Sequence, residues 1–67
     1  MHERKAQYEL GMRRRETAPI EALSWLLRSA RRGYRRAGPA IAELRTDMSA
    51  KARREALVRS RTSLKGP

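Results

Sequence analysis

The chain has no cysteine and no phenylalanine, one tryptophan, two tyrosines, and only seven acidic residues against 17 basic ones. Without cysteine, neither a disulfide framework nor a thiolate metal site can staple a small domain, so stability must come from helix packing, self-association or a partner. Without large aromatic side chains the core must be thin, because a chain this short buries only about 60% of the surface its unfolded form exposes. No run approaches the ~20 apolar residues of a membrane span. The N-terminal MHERKAQYEL carries no hydrophobic segment after its charges. It does not read as a secretory signal, which leaves the cytoplasm as the expected location.

Groups that carry catalysis are also scarce. His2 is the only histidine and lies at the N-terminus, where disorder is expected. One histidine, one aspartate and no cysteine supply no convergent set of metal ligands. Ser24, Ser29 and the later serines have no histidine to serve as a base. Glu3, Glu9, Glu16, Glu21, Glu43 and Glu55 are each set among basic residues, as ordinary helix ion pairs are. Gly33 and Gly38 flank arginines and do not form a nucleotide-binding loop between strand and helix. The expectation is a non-enzymatic protein that uses no cofactor and no metal.

Positive charge is abundant: the net charge is +10 and the isoelectric point about 11.6. Only Lys5, Lys51 and Lys65 are lysines, so nearly all of the charge is arginine, which suits bidentate contacts to phosphate and carboxylate. Such a balance implies attraction to polyanions. A GC-rich coding sequence produces the same bias with no functional meaning.

The remaining pattern is helical. The stretch Glu21 to Ala37, EALSWLLRSARRGYRRA, organises the chain. At about 100° per residue, Ile20, Ala22, Leu23, Leu26, Leu27 and Ala30 fall on one arc. Glu21, Ser24, Arg28 and Arg31 fall on the other side, with Trp25 at the edge near Ala22. An arc this wide must be buried, and only two short stretches of the chain offer to cover it, which favours a partner.

Before this stretch, residues 2–15 read as a first helix with Gly11 inside it, a residue that can mark close approach by a neighbour. Thr17 to Pro19 is the break, with Thr17 or Ala18 at the cap and Pro19 in the first turn. The second helix is expected to end near Arg32, with Gly33 as its left-handed stop. Gly38-Pro39 either interrupts the segment that Tyr34 begins or opens a third helix over Ala40 to Asp47, whose apolar face is Ala37, Ile41, Leu44 and Met48. Ser49 or Asp47 is expected to cap a last helix from Ala50 to Arg59, with a weak stripe of Ala52, Ala56, Leu57 and Val58 that is not expected to pack firmly. Residues 1–59 then form a single small all-α domain and residues 60–67 a disordered tail.

Ala6, Tyr8, Leu10, Gly11, Ala22, Trp25, Arg28, Ala30, Gly33 and Ala37 follow the order of small and aromatic positions of a Sel1-like repeat, and residues 6 to about 44 resemble one and a half such units. The resemblance implies a helical hairpin over residues 3 to 32, related to the tetratricopeptide repeat. In it the small residues would let two helices approach while Tyr8, Leu10, Trp25 and Leu26 fill the gap. It also implies an adaptor that binds other proteins. Repeats of this kind need at least about three units for a stable stack, so the chain would stack on a second copy or cap another protein's repeats.

The function expected is therefore non-catalytic binding of another protein, through an acidic or repeat surface, or of a second copy, regulating the larger partner. Trp25, Leu26, Leu27 and Tyr34 would be the apolar anchors and Arg31, Arg32, Arg35 and Arg36 the charged rim, since aromatics and arginines dominate interface energetics. The alternative is a small nucleic-acid-binding protein. It would use Arg28, Arg31, Arg32, Arg35 and Arg36 around Tyr34, together with Arg13, Arg14, Arg15, Arg53, Arg54, Arg59 and Arg61, to neutralise phosphates and stack a base. An interfacial membrane helix built on Leu23, Trp25, Leu26 and Leu27 ranks third, because packing within the domain already uses that face.

Overall fold

The computed structural model describes residues 3–62, with helices joined by short connections and no strand among them. The helices are α1 (Glu3–Arg14), α2 (Pro19–Arg31), α3 (Ala37–Arg45) and α4 (Ala50–Thr62). His2 and residues 63–67, where disorder was expected, lie outside the described residues.

The stops and starts obey local chemistry. Ala18 caps α2 with an extended backbone and Pro19 opens it, where a missing N–H is harmless. At the other end Gly33 adopts φ +90. The Gly33 N–H donates to the Ala30 carbonyl at 2.9 Å and the Tyr34 N–H to the Ser29 carbonyl at 3.1 Å. That pair of bonds is the Schellman arrangement, and it requires a residue free to enter the left-handed region. Gly38 and Pro39 lie in the first turn of α3, which begins at Ala37, earlier than Ala40. Proline is tolerated there because the first N–H groups of a helix have no intrahelical acceptor. Ser49 caps α4: the Ala52 N–H donates to its Oγ at 3.1 Å. That helix runs past Arg59, so Ser60, expected in a disordered tail, is fully buried within it.

Helix α2 is the hub, and the other three helices cover it. Its residues at successive turns form three stripes. Ala22, Leu26 and Ser29 face α1, which runs antiparallel to it. A methyl added to Gly11 would sit 2.9 Å from the Ala22 carbonyl oxygen and 3.0 Å from Leu26 Cγ, and the Ser29 hydroxyl donates to the Arg4 carbonyl at 2.7 Å. Arg32 pairs with Glu3 at one end of this contact and Arg14 with Glu21 at the other. Leu23 and Leu27 face α3 and α4, beside Ile41 and Leu57. Ser24, Arg28 and Arg31 face α4.

This arrangement corrects the reading of α2 as a helix with one buried arc and one solvated side. Ser24, Arg28 and Ser29 are buried, whereas Ala30 is exposed, as is Ala6 of α1. Half of the apolar arc is covered within the chain: Ala22, Leu23 and Leu26 are buried, whereas Ile20 and Leu27 are half-buried. The radius of gyration, 10.8 Å, agrees with the value of about 11 Å for a closed globule of this length.

Candidate interaction surface

The arginines of α2 divide by what they touch. Arg28 Nη2 donates to the Arg59 carbonyl at 3.4 Å, and Arg31 donates to the Ser60 carbonyl at 3.1 Å and to its hydroxyl at 2.7 Å. Those carbonyls belong to the C-terminal part of α4, so the two guanidinium groups tie that part of the helix to α2. Both were expected on a solvent-facing binding surface. Their first role here is to fasten α4, which explains how a helix with a weak apolar stripe is held.

Arg28 is 7% exposed, with its guanidinium carbon 4.5 Å from the centre of the Trp25 ring. Burial, and secondarily the charge of Arg31, pushes its pKa below the ordinary arginine value. Trp25 itself is half-buried and donates from its indole nitrogen to Glu21 at 3.4 Å. It stands at the rim of a small cleft with Ser24, Arg28 and Arg59.

The other expected anchors do not converge on one surface. Leu26 is fully buried and cannot meet a partner. Tyr34 is half-buried with its ring 5.1 Å from that of Tyr8, so one face already has an aromatic neighbour. Arg32 is paired with Glu3. Arg35 and Arg36 are exposed on the turn before α3, and Arg13, Arg14 and Arg15 are exposed at the far end of α1. Leu27, Arg53 and Arg54 meet in a cleft of about 350 Å³ between α2, α3 and α4.

That cleft has an apolar floor of Leu23, Leu27, Ile41 and Leu57 and a rim of Arg45, Arg53 and Arg54. Leu57 is 37% exposed and the adjacent Val58 53%. Among the described residues, no carboxylate forms a salt bridge with any of the three rim arginines. Leu23, Ile41, Arg45 and Leu57 were missed as site residues because they come from three different helices, and no spacing within one helix relates them. An apolar floor under an unneutralised cationic rim is suited to an amphipathic segment whose polar side is acidic.

No group of three or more metal-ligating side chains occurs among the described residues. Comparison with known proteins finds no matching family model, no similar curated protein and no similar solved structure.

Proposed function

We propose that this chain is a non-catalytic binding module that docks an acidic amphipathic helix of a partner protein in the cleft between α2, α3 and α4, and so modulates that partner. The observation that carries the reading is the coincidence of Leu23, Leu27, Ile41 and Leu57 with Arg45, Arg53 and Arg54 in one open cleft. A second copy of the chain is a poor occupant, since two molecules of charge +10 repel. Nucleic acid is favoured less than protein. Arginines are spread over several sides of the molecule, and Tyr34, the aromatic expected to stack a base, is already beside Tyr8. The Sel1-like architecture belongs to the same proposal for α1 and α2, supported by the close approach at Gly11. The cytoplasm is the compartment in which we place it; no described helix is long and apolar enough to cross a membrane.

The test uses two synthetic helical peptides with leucines at every third and fourth position, one with a glutamate polar face and one with lysines in their place. The glutamate peptide should bind the full chain, and a Leu57→Asp or an Arg53→Glu/Arg54→Glu variant should weaken it about tenfold or more, as expected when a buried anchor or paired charge is lost. Duplex DNA, single-stranded DNA and RNA are run beside it at about 50 and 200 mM salt. Binding of one nucleic acid that persists at the higher salt, with no preference between the peptides, would refute the protein-binding reading.

A further inference from the structure

The cleft between α2, α3 and α4 has the dimensions of a small-molecule site. Its volume, about 350 Å³, falls at the lower end of the range of about 300–1,000 Å³ typical of ligand clefts, which combine a mostly apolar lining with a few polar groups that orient the occupant. The lining here has that form. Leu23, Leu27, Ile41 and Leu57 make the floor, and Arg45, Arg53 and Arg54 supply the polar groups. At about 30 Å³ for a group the size of water, the space takes about a dozen non-hydrogen atoms. That is one short acyl chain with its head group, and too little for a two-chain lipid or a sterol.

Charge selects the head group. Arg14, Arg32 and Arg59 are each paired with a carboxylate, and Arg28 and Arg31 donate to carbonyls of α4. Among the described residues, the guanidinium groups of Arg45, Arg53 and Arg54 have no such partner. Arg45 and Arg54 are exposed, so a solute reaches them. Arg53 and Arg54 also lie near the start of α4, whose first turn contains Lys51 and no acidic residue. The positive end of the helix dipole adds to the same field, and an anion placed there lowers the repulsion. A neutral amphiphile gains the apolar contacts alone, and a cationic one meets like charge. Leu57 is 37% exposed, so a chain lying on it removes apolar surface that the domain leaves in water.

We propose that the cleft binds a single-chain anionic amphiphile, a carboxylate of about ten carbons, with its chain on Leu23, Leu27, Ile41 and Leu57 and its head group on the three arginines. The consequence for function rests on the docking reading above. The ligand fills the space that the leucines of an acidic partner helix would enter, so the two exclude each other and the ligand releases the partner.

Calorimetry on the full chain tests this, with decanoate, hexanoate and decyltrimethylammonium titrated at constant ionic strength below the concentrations at which they form micelles. Decanoate should bind saturably at one per chain. Each methylene that is fully buried tightens binding about fourfold, so the shorter hexanoate should bind more than about tenfold more weakly. Decyltrimethylammonium should give no saturable heat. Arg53→Glu/Arg54→Glu should weaken decanoate about tenfold or more. Arg13→Glu/Arg35→Glu makes the same change in net charge at exposed positions outside the cleft and should leave binding within about twofold. Decanoate should also displace the labelled glutamate peptide. Saturable decanoate binding that the Arg53→Glu/Arg54→Glu variant loses supports the site even where the peptide fails to bind, a pair of results that overturns the docking reading alone. Peptide binding without saturable decanoate binding overturns this inference and leaves the docking reading standing. Equal affinity for decanoate and either other amphiphile, equal weakening by the two charge variants, or decanoate binding that leaves the peptide in place also overturns it. The comparison of amphiphiles uses the natural chain, so the test stands where a variant does not fold.

Discussion

Gly11 and Gly38 both occupy helices, yet alanine should act on them differently. In a helix interior, alanine is favoured over glycine by about 1 kcal/mol. Gly38 lies in the first turn of α3 with nothing other than its chain neighbours and its own helix backbone within 4 Å of the added methyl, but Pro39 follows it and disfavours the helical region for a residue with a Cβ, so gain and loss should nearly cancel. At Gly11 the methyl would stand 2.9 Å from the Ala22 carbonyl oxygen and 3.0 Å and 3.1 Å from two atoms of Leu26. The carbonyl belongs to the backbone of the hub helix and cannot yield unless α2 moves away from α1, which would also stretch the Ser29–Arg4 bond. Overpacking of this kind costs about 1–3 kcal/mol, so the propensity gain should be outweighed by about 1 kcal/mol.

In a domain of this size a change of 1 kcal/mol moves Tm by roughly 4–8 °C. Thermal unfolding followed by far-ultraviolet circular dichroism should therefore place Gly38→Ala near the natural chain and Gly11→Ala several degrees below it. If Gly11→Ala matched or exceeded the Tm of the natural chain, α1 would not approach α2 at this crossing, and the antiparallel packing of the two helices would be wrong.

The hub position of α2 leads to two more expected outcomes. Arg31→Met removes two bonds to Ser60 and should cost about 1–3 kcal/mol, with hydrogen exchange accelerating in α4 before α1; uniform acceleration would argue against a specific clamp. Leu26→Asp buries a charge in the core and should unfold the domain, whereas Leu57→Asp, at the cleft surface, should hold Tm within a few degrees. Equal loss of structure in the two variants would show that Leu57 belongs to the core and not to a docking surface.

Much of the architecture was legible because it depends on neighbours in sequence. Pro19 opening α2, Gly33 ending it and Ser49 capping α4 are decisions made by one residue's backbone freedom or side-chain oxygen, and periodicity placed four helices close to where they lie. The sites were less legible. Arg28 and Ser24 are polar by type and fall opposite the leucines, so solvent is the simplest reading. The Ser24 hydroxyl is satisfied one turn back by the Glu21 carbonyl of its own helix, whereas burial of Arg28 becomes tolerable only because its long side chain threads between helices to the Arg59 carbonyl of α4, 31 residues away. The same holds for the cleft, whose floor is assembled from Leu23, Ile41 and Leu57 on separate helices.

By itself the sequence determined the all-helical class, the helix boundaries to within a few residues, and the surplus of arginine, because helical periodicity, capping and charge are local or additive properties. Tertiary structure alone decided which arginines bond to a neighbouring helix and which stay exposed, and that Leu26 is core and Leu57 is surface. Those outcomes depend on which helix lies against which stripe of α2. That choice is made by the mutual fit of side chains distant in the chain, such as Gly11 against Ala22 and Ser60 against Arg31.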